Sequence, residues 1–88
     1  MDVKKYFLKE EKIELTDGEI EMFEACFERE VGDTADNYYF FSAEWPHMLS
    51  HVLFEMFLEF AKEDGLDTLR PEVAEYLYRS CPELDKIL

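Results

Sequence analysis

The sequence predicts an all-α fold, a small single acidic domain over residues 1–88 with four to five helices around a central hydrophobic helix at about residues 45–64. Three observations predict it. On a 3.6-residue helix, Leu49, Leu53, Phe54, Met56, Phe57, Leu58, Phe60 and Ala61 fill an apolar arc of roughly 200°, about twice the stripe of an ordinary surface helix. One neighbour cannot cover such an arc, so several helices or a second subunit must pack around it. Thr16 and Glu19 stand at capping-box spacing before a helical run of apolar residues. Helical spacing accounts for the apolar residues in every segment but 12–15 and 38–41, so no credible sheet is expected.

In chain order, Val3, Tyr6 and Phe7 are spaced i, i+3, i+4 and predict a short first helix with Leu8 at its margin. Residues 12–15 (KIEL) then suit an extended connector as well as a helical turn. From Thr16, the threonine oxygen can accept the amide of Glu19 while the Glu19 carboxylate reaches back. Ile20, Phe23, Cys26, Phe27 and Val31 then share an apolar face, and Gly32 provides a C-terminal stop.

Residues 32–37 (GDTADN) read as a true loop, because Asp33, Thr34 and Asp36 can bond their own backbone. Tyr38, Tyr39, Phe40 and Phe41 are too few to classify by period. Ser42 offers an N-cap for the central helix, and Pro46 fits its first turn, where a missing amide costs nothing. The polar strip of that helix is His51, Glu55, Glu59, Lys62 and Glu63, interrupted by Met48 and Val52. Beyond Gly65, Leu66 and Leu69 anchor a turn. Pro71 starts a helix with Val73, Tyr76, Leu77 and Cys81 inward, and Ser80 with Glu83 suggests a capping box for a last turn carrying Leu84, Ile87 and Leu88.

Size and composition narrow the class. A chain of 88 residues buries only about 60% of its unfolded surface, so eight Phe, five Tyr and one Trp matter for the apolar area they supply. The two cysteines, Cys26 and Cys81, lack metal-ligand or redox spacing and read as buried reduced thiols of a cytoplasmic protein. The N-terminal residues contain no secretory apolar core, and no run of about 18 apolar residues could span a membrane.

Charge is the exceptional property, since 22 acids against nine Lys and Arg give a net −13. Residues 1–12 carry four lysines against three acids, which leaves −14 on the remainder. Such a surface repels nucleic acid and anionic lipid, so neither is an expected partner, and a basic protein surface is. Asp17, Glu21, Glu24 and Glu28 recur at i, i+4, i+7 and i+11 in one line on the second helix. The line carries one charge per roughly 5 Å, against about 3.4 Å along a B-DNA strand. Glu55, Glu59 and Glu63 form a second line on the central helix. Were the two lines adjacent, they would offer the two negative rails a duplex mimic needs.

The arrangement with most metal-ligand character is His47, His51 and Glu55 at i, i+4, i+8, but it lacks the Glu after the first His and a further ligand at recognisable spacing. No metal site, cofactor or catalytic constellation is therefore expected. Tyr38, Tyr39, Phe40, Phe41 and Trp45 are the densest aromatic cluster outside the central helix and are candidates either for core or for a self-association surface. As a class, a small, acidic, aromatic-rich helical chain resembles the inhibitors that phages and mobile elements raise against host nucleases, including anti-restriction and anti-CRISPR proteins. That analogy implies a non-enzymatic inhibitor acting in the host cytoplasm on a nuclease or other nucleic-acid-binding protein. The alternative is a structural or adaptor module acting through an apolar surface as a homodimer.

Overall fold

A computed structural model describes residues 3–41 and 44–88, with side-chain surroundings described for all of these except residues 39–41. The described residues are helical, without strands, in the order α1 (Val3–Tyr6), a π-helical turn (Phe7–Glu11), α2 (Asp17–Val31), α3 (Ala35–Phe41), α4 (Trp45–Asp64), a 3-10 turn (Leu66–Thr68), α5 (Pro71–Ser80) and α6 (Leu84–Ile87). The all-α class and the central helix are as the sequence predicts.

The reason lies in α4. Trp45, Leu49, Val52, Leu53, Met56, Phe57, Leu58 and Ala61 are all buried, so the helix is covered around most of its circumference. Val52, read from the sequence as an interruption of the polar strip, is 3% exposed and belongs to the core. Burial of each large side chain of this kind contributes about 1.5–3 kcal/mol. Pro46 occupies the first turn, the N-cap position is Glu44 without a side-chain cap bond, and the expected cap Ser42 lies outside the described residues.

The first segment is laid against that core. Val3 and Phe7 are buried on one helical face, and Lys12 at φ 58° turns the chain out of the helix. The connector after it is extended, with Ile13 and Leu15 buried in alternation with exposed Lys12, Glu14 and Thr16. Both halves of the Thr16 capping box are present, the Glu19 amide donating to Thr16 Oγ1 at 3.1 Å and the Thr16 amide to Glu19 Oε1 at 2.8 Å. Gly32 closes α2 at φ 83°, a conformation that favours glycine.

Edge-to-face and tilted ring pairs join the elements. Trp45 packs on Tyr6 at 4.8 Å, Tyr6 on Phe7 at 5.4 Å, Phe7 on Phe23 at 5.1 Å, Phe23 on Phe27 at 5.8 Å and Phe27 on Tyr38 at 5.7 Å. This chain of rings links α4, α1, α2 and α3, and such pairs add about 0.5–1.5 kcal/mol each beyond their buried area.

Several sequence expectations change. Residues 32–37 are not wholly loop, since α3 begins at Ala35. Thr34 caps it by accepting the Asn37 amide at 3.3 Å, and Asp33 Oδ1 accepts the Thr34 amide at 2.8 Å and Asn37 Nδ2 at 3.2 Å. The same polar side chains that favour turns also satisfy helix N-termini, so composition alone could not separate the two. Ser80 ends α5 and does not cap α6, whose N-cap position is Glu83 without a side-chain bond. Leu84 is buried as expected, whereas Ile87 and Leu88 are 47% and 44% exposed. Cys26 and Cys81 are free but half-buried, so the expected burial of both thiols is incomplete.

Candidate partner-binding face

The sequence-derived carboxylates divide into two sets on different flanks of α2. Asp17, Glu21, Glu24 and Glu28 are all exposed, as the spacing predicts for an outward line. Asp17 forms an ion pair with Lys4 at 3.1 Å, but its side chain is 98% exposed and such pairs contribute little. Among the described residues, Glu21, Glu24 and Glu28 take part in no ion pair.

Glu55, Glu59 and Glu63 are exposed on α4 and line an open groove of about 600 Å³ between α4 and α2. From α2 the lining residues are Cys26, Arg29 and Glu30, and from α4 they also include Met48, His51, Val52, Met56 and Phe60. Successive residues on a helix are offset by about 100°, which puts Cys26 about 180° round α2 from Asp17. None of the four stripe carboxylates lines the groove. The two acidic lines therefore lie on opposite flanks of α2, and the side-by-side rails that the sequence left open do not form from them. What faces the α4 line across the groove is Glu30 together with Arg29, whose Nη2 lies 3.5 Å from Glu30 Oε1 and 3.9 Å from Cys26 Sγ.

The sequence missed Cys26, Arg29, Glu30, Met48 and Phe60 as groove residues. A signal existed: Met48 interrupts an acidic helical strip and is half-buried, where an uninterrupted solvated face would be polar. His47, His51 and Glu55 are exposed, and among the described residues no three His, Cys, Asp or Glu are arranged to hold a metal ion. Of the aromatic cluster, Trp45 is 5% exposed within the chain's own core and Tyr38 is half-buried against Phe27, while the side chains of Tyr39, Phe40 and Phe41 lie outside the described residues.

Two arginines serve the fold instead. Arg70 Nε donates to Glu19 Oε1 at 3.2 Å and Oε2 at 3.1 Å, its Nη2 reaches the Glu14 carbonyl, and its Nη1 lies 3.3 Å from Glu72 Oε2. Burial acts to raise the Glu19 pKa, but hydrogen bonds from Arg70 and from the Thr16 amide outweigh it and hold this carboxyl below its ordinary value. Arg79 Nη2 donates to the Glu11 carbonyl at 2.9 Å. Beneath it, burial first and the Glu11 charge second push the Tyr76 hydroxyl up to about 12, so it stays protonated as a hydrogen-bonding group.

No protein-family model matches this chain, and neither a curated protein nor a solved structure does. Among the described residues no helix is long and apolar enough to cross a membrane.

Proposed function

We propose that this chain is a non-enzymatic, stoichiometric binding protein that engages a basic surface of a partner protein. The partner class is a nuclease or other nucleic-acid-binding protein, and the role is that of a phage or mobile-element inhibitor of the anti-restriction or anti-CRISPR kind. One observation carries the reading. The seven carboxylates Asp17, Glu21, Glu24, Glu28, Glu55, Glu59 and Glu63 are all exposed, and among the described residues only Asp17 has an internal cation. Maintaining like charges at i, i+4 costs a helix a few tenths of a kcal/mol per pair, a cost that a cationic partner removes.

The separation of the two acidic lines favours recognition of a basic groove or segment over imitation of a whole duplex. The test adds the chain to restriction and CRISPR nucleases holding DNA and follows DNA displacement as salt is raised. Displacement at low ionic strength that weakens steeply by about 0.15 M, where the Debye length is about 8 Å, is expected. Absence of displacement at every salt concentration sinks the inhibitor reading.

A second reading, a helical adaptor that dimerises through an apolar surface, draws on half-buried Met48 and Phe60 in the groove and on Leu8 and Met22, which are 51% and 45% exposed. Sedimentation separates the two, because a salt-indifferent dimer that ignores basic proteins belongs to the adaptor.

A further inference from the structure

We infer that the trough between α2 and α4 is the docking site for one basic amphipathic helix of the partner. This rests on the reading that the partner is basic, and it adds which surface is used and what shape of segment fits. The α4 wall of the trough, from Met48 to Glu63, spans 15 residue steps, about 22 Å or four helical turns, and α2 contributes the shorter facing wall from Cys26 to Glu30, about 6 Å. A channel that long and open along one side suits a rod more than a small molecule.

Its chemistry is two-layered. The floor is apolar, made by Met48, Val52, Met56 and Phe60 at successive i, i+4 positions, with Cys26 opposite. Thioether side chains adapt to varied apolar partners. The rim is acidic, with Glu55, Glu59 and Glu63 repeating every four residues, about 6 Å apart, and Glu30 on the facing wall. A helix with apolar residues on one side and Lys or Arg at i, i+4 along its margin meets both layers at once.

An extended basic peptide fits less well. It would need backbone partners, and among the described residues there is no strand edge to supply them. A helix satisfies its own backbone and packs on α2 and α4 as an added member of the bundle. The chain's own basic N-terminal segment is not the occupant, because Val3 and Phe7 are buried in its core. Arg29 is a cation already in the trough, 72% exposed and held among the described residues by Glu30 and Cys26, and an incoming Lys or Arg would replace it.

The experiment uses the full chain and three synthetic peptides of about 18 residues: a Leu/Lys amphipathic helix, its scrambled isomer, and an alternating Lys/Gly polycation. The amphipathic peptide is expected to bind one to one, at least about tenfold more tightly than either control, a difference of about 1.4 kcal/mol. Glu55→Lys with Glu59→Lys should weaken it at least about tenfold, and Glu21→Lys with Glu24→Lys by a smaller factor. Met48→Gln, at a half-buried position, should weaken the amphipathic peptide and leave the polycation unchanged.

Equal binding of all three peptides, or greater loss from the α2 reversal than from the α4 reversal, overturns the docking site while leaving a basic partner standing. Failure of every cationic peptide to bind at low salt overturns the basic-partner reading as well. A dimer dissociated by Met48→Gln would assign the trough to a second copy of this chain and overturn the inference.

Discussion

Glu19 and Glu59 are the same side chain in neighbouring helices, and the protein uses them in opposite ways. Glu19 is 17% exposed, closes the capping box of α2 and is gripped by Arg70, which joins the start of α5 to the start of α2 and to the extended connector. Glu59 is exposed, lines the trough, and has no cation among the described residues. Arg70, Arg79 and Lys4 all bridge segments distant in sequence, to Glu19, to the Glu11 carbonyl and to Asp17 respectively. With nine Lys and Arg for 22 acids, cations that tether crossings cannot also neutralise helix surfaces. The net −13 is thus unevenly held, bound into the fold at the start of α2 and left facing outward along α4 and the α2 stripe.

The largest test of this contrast is Arg70→Ala, which leaves Glu19 sheltered without its cation and the Glu14 carbonyl without that donor. We expect a loss of about 2–3 kcal/mol in urea unfolding, against less than about 0.5 kcal/mol for Glu59→Ala. Comparable losses from both would erase the distinction.

Acid should dissolve the difference. Because the folded pKa of Glu19 lies below its ordinary value of 4.5, the folded state binds fewer protons than the unfolded state in that range. The contribution of Glu19 is fully present above 4.5 and is lost as pH falls through the depressed folded value. Wild type should exceed Glu19→Gln in stability at neutral pH, with the gap narrowing below 4.5; a gap that widens in acid contradicts the assignment.

Thr16→Ala removes the other half of the cap and should cost about 1 kcal/mol by thermal or urea unfolding. The smallest effect has the opposite sign. Replacing Glu55, Glu59 and Glu63 together by Gln should raise stability by a few tenths of a kcal/mol per relieved i, i+4 pair. A clear loss instead would mean that the trough carboxylates support the fold after all.

These two regions also differ in how readily they can be read from the chain. The Thr16 box lies within four residues and is visible as spacing, whereas the Arg70 grip on Glu19 spans 51 positions and leaves no local signature. Residues 32–37 read as loop although α3 begins at Ala35, because Thr34 supports a turn and a helix start with the same hydroxyl. Cys26 falls on the predicted apolar face of α2, yet it borders the trough and is half-buried.

Helical class, the centrality of α4, the α2 cap and the acidic excess follow from the sequence by itself, since each depends on residue identity or on contacts within about one turn. Which flank of α2 meets the α4 acids, which carboxylates receive the scarce cations, and that Met48 and Phe60 line an acidic trough were decided by tertiary structure. Those outcomes depend on the rotation of one packed helix against another, and residue spacing within either helix does not specify that angle.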